Sequence, residues 1–235
     1  MLAAAAAICV ALAKPYDGDA PALLAPKLSM PAFASTAAAF VPEGWRVDRE
    51  LRGDLNRDGR VDLVAVLKGN DPRCVVQIDD RSEPLDTNPR MLLVAFGSEA
   101  GFRLLLANSA VIPRVEDPYM DDPLNDLAIR GGVLRLGLSS WRSMGGWTTF
   151  SSTLSFRWDG RRMRLIGFDR ETLQRNTGET ETLSVNYSTG RARVVIGSMQ
   201  DDVADSTRWR QVAAAGVTLE TIGDGMALEP DFSRD

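Results

Sequence analysis

The alternation of apolar and polar residues between Trp147 and Trp158 constrains the fold of this chain most strongly. One side of the pattern carries Phe150, Leu154, Phe156 and Trp158, and the other carries Thr149, Ser151, Thr153, Ser155 and Arg157. Successive strand residues point to opposite faces, so this pattern indicates a strand with one solvated face, as in antiparallel sheets. Asp159-Gly160 is a hairpin turn signal, and a second strand returns through Met163 to Phe168.

Further strand signals, separated by turn residues, follow one another along the chain. Candidate strands lie at residues 45–51, 63–67, 90–96, 102–107, 134–138, 183–187, 192–196 and 217–222. We therefore predict an all-β fold of antiparallel sheets with roughly ten strands, built as a sandwich or as part of a propeller. A short N-terminal helix is predicted from Ala32 to Phe40, because Phe33, Ala37 and Phe40 share one helical face.

The loop from residue 54 to residue 62 has the composition of a calcium site. Its sequence, Asp-Leu-Asn-Arg-Asp-Gly-Arg-Val-Asp, places oxygen side chains at every second position and a turn-forming glycine at Gly59. Ca²⁺ binds six to eight oxygens, and alternate residues of a tight loop direct their oxygens at one centre. The predicted ligands are the side chains of Asp54, Asn56, Asp58 and Asp62 and the backbone carbonyl of Arg60. The alternative is a polar hairpin that binds no metal.

Two calcium-loop families share parts of this pattern. An EF-hand loop ends in a bidentate Glu at its twelfth position, where this chain has Ala65 followed by strand-like residues. The pattern Asp-x-Asn-x-Asp-Gly-x-x-Asp-Leu-Val resembles instead the calcium loop of FG-GAP (VCBS-like) repeats, over about residues 45–67. That resemblance implies a loop joining two β-strands around one Ca²⁺. The wider chain, from Gly44 to Gly190, is similar to small secreted bacterial proteins without an assigned activity, which implies export.

The N-terminal residues are read as targeting and linker segments. Residues 2–13 are apolar and end in Ala11-Leu12-Ala13, which predicts a signal peptide over 1–13, cleavage after Ala13, and a periplasmic or secreted protein. An alanine-rich helix is the alternative, and the run is too short to be a transmembrane segment. Four prolines in 14–31 indicate a flexible linker. A single β domain is predicted over 32–225, followed by a loose tail over 226–235.

The absence of histidine excludes several kinds of active site. The chain contains no histidine, so it cannot build Ser-His-Asp or Cys-His nucleophiles or histidine-based zinc sites. If residues 1–13 are removed, Cys74 is the only cysteine and no disulfide can form within the chain. Its strand-like surroundings predict a small buried apolar residue.

Charge and exposed side chains suggest the class of partner. The net charge of −5 argues against nucleic acid. Two features offer contacts to a polysaccharide or another envelope component. Arg157, Arg161, Arg162 and Arg164 surround one hairpin tip, and Trp141 and Trp147 flank a glycine-containing loop. A solvated tip and core tryptophans are the alternatives. We expect a monomer.

Two functional hypotheses follow from these observations. The leading one is a secreted or periplasmic calcium-binding protein, without catalysis, that has a structural or ligand-binding role. The alternative is a calcium-dependent hydrolase acting on a glycan or another envelope polymer. Such an enzyme needs two carboxylates about 5–9 Å apart in a cleft. The candidates are Asp117, Asp121, Asp122 and Asp126, which lie in a second acidic loop. The alternative is that this loop is a solvated segment, fixed by its prolines, without a functional role.

Overall fold

Antiparallel β-strands make up most of the structure. The computed structural model describes residues 29–78, 83–200 and 204–232. The predicted signal peptide, 1–13, and all but the last three residues of the predicted linker, 14–31, lie outside these ranges. In chain order the strands are β1 (Phe33–Ala34), β2 (Trp45–Gly53), β3 (Asp62–Gly69), β4 (Val75–Val76), β5 (Leu85–Asp86), β6 (Arg90–Ser98), β7 (Gly101–Asn108), β8 (Leu124–Arg130), β9 (Val133–Ser140), β10 (Thr148–Trp158), β11 (Met163–Gln174), β12 (Glu179–Asn186), β13 (Arg191–Ser198) and β14 (Ser206–Gln211).

Two large sheets contain nearly all of these strands. The first has the order β1-β7-β6-β3-β2, and the second runs from β14 to β8 in reverse chain order. All neighbouring strands are antiparallel, and β4 pairs with β5 separately. The second sheet is therefore a simple meander, in which each strand pairs with its neighbours in the sequence.

A shared core joins the two sheets face to face. Val64, Val94 and Phe96 of the first sheet belong to the same buried cluster as Leu136 and Phe156 of the second. Burying apolar side chains between two sheets contributes about 25 cal/mol per Å² of apolar surface. The prediction of an all-β fold is confirmed, and the arrangement is that of a sandwich.

The first sheet is covered on its other face as well. Leu63, Leu67 and Leu93 point away from the shared core and pack in a second cluster with Ala37 and Phe40. Strand β3 is therefore buried on both faces, and residues 62–67 are all buried. Its continuous apolar sequence follows from this central position between β2 and β6.

The short helix predicted at residues 32–40 is not confirmed. Phe33 and Ala34 pair with β7, and only Ala37–Phe40 forms a helical turn, of the 3₁₀ type. Thr36 ends the extended segment, since its hydroxyl accepts a hydrogen bond from the Ala39 N–H at 3.3 Å. Elsewhere in the described ranges, helical turns form at Pro72–Cys74 and Gly225–Ala227. No helix within the described ranges is long and apolar enough to cross a membrane.

The C-terminal segment differs from its prediction. Residues 217–222 form no strand, although the Leu165 N–H donates to the Val217 carbonyl at 3.1 Å. The described part of the predicted loose tail, 226–232, packs on the shared core through Met226, Leu228 and Phe232. The Ala213 N–H also donates to the Asp231 carbonyl at 2.9 Å. These apolar side chains therefore extend the shared core.

A buried arginine ties the first sheet to the loop before β8. Arg90, whose side chain is 8 % exposed, donates two hydrogen bonds of 2.6 Å to the Asp122 carboxylate and one of 3.1 Å to Asp48. Burial raises the pKa of Asp122, but the hydrogen bonds from Arg90 and from the Leu124 N–H outweigh it, and the net pKa is lowered. Charge-assisted, bidentate pairs of this kind are among the stronger polar contacts in proteins.

We predict that Arg90→Met lowers the free energy of unfolding by about 2–3 kcal/mol, because the variant removes three charge-assisted hydrogen bonds to the carboxylates of Asp122 and Asp48. The loss stays below that of a fully buried pair, since the Asp122 side chain is 48 % exposed. Urea unfolding measures this loss. Arg103→Met, at an exposed position on β7, is the control and leaves stability nearly unchanged.

The pH dependence of the free energy of unfolding distinguishes the contribution of the Arg90 ion pairs from the contribution of its packing. A lowered carboxyl pKa contributes stability above the unfolded-state value of about 3.9, and the contribution disappears as the pH falls through the lower folded-state pKa. The wild type therefore loses more stability than Arg90→Met between neutral and strongly acidic pH. Parallel stability curves for the two proteins contradict this account.

Candidate metal site in the loop between β2 and β3

The predicted calcium loop connects two paired strands. Strand β2 ends at Gly53 and β3 begins at Asp62, directly opposite each other in the ladder. Leu55 anchors the loop in the shared core, where it is 1 % exposed. Arg57 reaches from the loop to the turn between β8 and β9, donating to the Gly131 carbonyl at 3.0 Å.

Side-chain oxygens within the loop hold its backbone in a tight coil. The Asp54 carboxylate accepts hydrogen bonds from the N–H groups of Arg57 (2.6 Å) and Gly59 (3.0 Å). Asn56 accepts from the Asp58 N–H at 3.0 Å, and Asp58 accepts from the Arg60 N–H at 2.8 Å. These turns give each side chain a fixed direction.

The coil also requires unusual backbone angles. Arg57 and Gly59 both have positive φ, at 62° and 83°. Glycine adopts this conformation without steric cost. For Arg57 it is an uncommon conformation, and the guanidinium bond to Gly131 described above helps to hold it.

Asp62 connects the loop to the neighbouring hairpin. Its side chain is fully buried, and one carboxylate oxygen accepts from the Leu55 N–H at 2.7 Å and the Asn56 N–H at 3.4 Å. The other oxygen accepts from the Gly97 N–H at 2.8 Å, on β6. A carboxylate offers about four lone-pair sites, so three of them are used and one remains.

The acidity of Asp62 reflects this buried position. Burial raises its pKa; the hydrogen bonds from Gly97, Leu55 and Asn56 lower it, and the negative charge of Asp58 raises it again. The net pKa lies above its ordinary value. Asp58 and Asp62 are therefore close enough for their negative charges to repel each other.

The loop carboxylates have no ion-pair partners within the described ranges, although two arginines lie in the same loop. Arg57 donates to the Gly131 carbonyl, and Arg60 approaches Glu99 at 3.4 Å. The three carboxylates thus accept hydrogen bonds from N–H groups but form no ion pair with the two arginines of their own loop. A divalent cation would supply the missing positive charge.

The donor set fits a hard cation and depends on more than carboxylates. Among the described residues, no three Asp, Glu, His or Cys side chains converge closely enough to hold a metal by themselves. The predicted set adds the Asn56 amide oxygen and the Arg60 carbonyl, which also suit Ca²⁺. Asp58 and Arg60 are exposed, Asp54 and Asn56 are half-buried, and a recess of about 500 Å³ lies between Asp54 and Gly132.

The second acidic loop contains carboxylates that already have arginine partners. Asp122 binds Arg90, as described, and Asp117 lies 3.3 Å from the Arg142 guanidinium. Asp126 lies on the edge strand β8. The described cavities of about 270–540 Å³ are lined by other residues than Asp117, Asp121, Asp122 and Asp126. Asp117 and Asp122 are thus each held by an arginine.

The two tryptophans at the opposite end of the second sheet are exposed. Trp141 is 40 % exposed and Trp147 is 65 % exposed, so the alternative that they are core residues is wrong. The Arg175 guanidinium lies 5.5 Å from the centre of the Trp141 ring.

Cys74 is buried, as predicted, and this burial raises the pKa of its thiol.

Sequence reasoning missed the residues that attach the loop to the rest of the fold. Gly97 donates to Asp62 and approaches the loop so closely that an added Cβ would lie 2.3 Å from the Val61 carbonyl oxygen. Arg57 bonds to a turn 74 residues away. Both contacts depend on strand pairing, and neither leaves a local pattern in the sequence.

We predict that Gly97→Ala lowers the free energy of unfolding by about 1–3 kcal/mol, since the new methyl group must displace the Val61 backbone and disturb the Asp62 contact. Gly146→Ala is the matched control, because no atom lies within 4 Å of its added Cβ. Chemical denaturation of both variants measures the difference. Equal stabilities would show that the loop and β6 are not in this close contact.

Comparisons with known proteins add no family assignment. The chain matches no protein-family model, and no significant match was found among curated proteins or solved structures.

Proposed function

We propose that this protein binds one Ca²⁺ in the loop between β2 and β3, and that it has a structural or ligand-binding role without catalysis. The observation that carries the proposal is the set of three loop carboxylates without an ion-pair partner among the described residues. A nearby like charge disfavours the ionised form of a carboxyl group, and a bound cation would offset this repulsion. The resemblance to FG-GAP loops supports the same ligand.

The residues of the loop have separate parts in this proposal. Asp54, Asn56 and Asp58 would supply side-chain oxygens, whose directions are set by their hydrogen bonds to loop N–H groups. Arg60 would supply its carbonyl oxygen. Asp62 anchors the loop to β6 and would complete the site through its remaining lone pair. The ion itself supplies the positive charge that relieves the repulsion.

The position of the loop suggests what the ion would stabilise. The loop joins the ends of β2 and β3, contacts β6 through Asp62 and contacts the turn after β8 through Arg57. An ion that fixed this loop would thus hold together parts of both sheets. An exported protein meets millimolar calcium outside the cell, which suits a site of weak to moderate affinity, with Kd of about 10⁻⁶–10⁻³ M.

We predict that Ca²⁺ raises the melting temperature and that Asp58→Ala removes most of this increase. At a concentration about 100-fold above Kd, binding to the folded state alone adds roughly 2.7 kcal/mol of stability. Thermal melts in Ca²⁺ and in EGTA measure the effect. Asp58 is exposed and its hydrogen bonds lie within the loop, so its replacement leaves the two sheets intact.

Asp121→Ala is the control for this experiment. It also removes one exposed carboxylate, from the second acidic loop, and keeps the calcium-dependent increase. Identical wild-type melts in Ca²⁺ and EGTA, together with no calcium heat in calorimetry, would refute the proposal.

A further inference from the structure

The outward face of the second sheet carries arginines on several strands. Arg135 lies between Leu134 and Leu136, which are both fully buried, so its side chain points to the opposite face. Arg191 and Arg193 flank the buried Ala192 in the same way. Arg157 follows the buried Phe156 on β10. We call Arg135, Arg157, Arg191 and Arg193 the arginine face.

The strand register places these arginines in one track. Arg157 on β10 is diagonal to Arg135 on β9, which pairs with Ser155. The β10-β11-β12-β13 pairing continues the track to Arg191, opposite Asn186. From β9 to β13 there are four strand spacings of about 4.8 Å each, or roughly 19 Å. One small anion cannot contact arginines spread over this distance, but an extended polymer can.

Two acidic residues on β11, Asp169 and Glu171, point to the same outward face, but neither forms an ion pair with the four arginines. Within the described ranges, none of the four arginines forms an ion pair. The nearby Arg164 differs, because it pairs with Asp159 at 3.0 Å, and Asp169 accepts a hydrogen bond of 2.6 Å from Ser184. In a chain of net charge −5, this concentration of positive charge on one face points to an anionic partner.

The side chains around the four arginines indicate which kind of anionic polymer this face would bind. Among the strands of the second sheet, Trp209 on β14 is the aromatic residue whose side chain points to the outward face. The Arg191 guanidinium lies 4.8 Å from its ring centre. Single-stranded nucleic acid stacks successive bases on several aromatic rings, whereas the described strands offer one ring on this face, which is 60 % exposed and has Arg191 over one side. Between the arginines lie Thr153, Ser184 and Asn186, which offer hydrogen bonds to hydroxyl groups.

We propose that the arginine face binds an acidic polysaccharide. Planar guanidinium groups bind carboxylate or sulfate groups through two parallel hydrogen bonds, and the intervening polar side chains match sugar hydroxyls. Arg161 and Arg162, exposed at the tip of the β10–β11 hairpin, extend the track at one end. This proposal rests on the binding role proposed above and specifies the class of partner. The arginine face contains no residue of the calcium loop.

The test measures binding of the full-length protein to fluorescent dextran sulfate by anisotropy, at low ionic strength and with EDTA present. Uncharged dextran of equal length is the matched ligand. We expect binding to dextran sulfate alone, weakening as salt is added. Arg157→Gln and Arg193→Gln each weaken it about threefold to fivefold, and the double variant weakens it further. Arg103→Gln, on the first sheet, leaves the affinity within about twofold of the wild type.

Several outcomes would overturn the proposal. Equal affinity for both dextrans, or wild-type affinity in the double variant, shows that the arginine face does not bind the polymer. Tighter binding to single-stranded nucleic acid or to anionic lipid vesicles through the same arginines shows that the partner belongs to another class. Because the measurements are made in EDTA, a failure of the calcium proposal leaves their result unaffected.

Discussion

The candidate site depends on the hydrogen bonds that the buried Asp62 carboxylate accepts. This carboxylate accepts hydrogen bonds from two N–H groups of its own loop and from Gly97 on the neighbouring hairpin. Burying an ionised group is costly unless its lone pairs are satisfied. Three donors offset that cost, and they fix the distance between the loop and β6. The close approach of Gly97 to Val61 follows from this arrangement.

The loop and the arginine face lie towards the same end of the second sheet. Arg57 reaches the turn at Gly131, and β9 begins after this turn with Val133 paired to Arg157. The calcium proposal thus concerns a negatively charged loop at the end of the sandwich, whereas the polysaccharide proposal concerns a positively charged sheet face. A meander of long antiparallel strands allows this separation, because each strand buries one side and presents the other to solvent.

Local patterns predicted much of the fold, because alternation and turn residues act within a few positions. The strand over Trp147–Trp158 and the loop joining two strands at residues 54–62 are examples. Strands β8 and β14 were missed, since their charged and polar residues hide the period-two pattern on exposed edges. The helix prediction at 32–40 failed because pairing with β7 outweighed a weak helical periodicity.

Contacts of the candidate site between residues far apart in the chain could not be predicted from the sequence. Asp62 was predicted as a metal ligand from its spacing, but its contact with Gly97 depends on how β3 pairs with β6. The arginine face likewise needs the register of five strands, although four arginines near one hairpin tip gave a partial signal. Side chains far apart in sequence become neighbours only through strand pairing.

Anomalous diffraction from crystals grown in CaCl₂ tests the central claim most directly, because it locates the ion. We expect one calcium peak in the loop, about 2.3–2.6 Å from oxygens of Asp54, Asn56, Asp58 and Asp62 and from the Arg60 carbonyl. An empty loop at saturating calcium, or a peak only at other residues, would contradict the account.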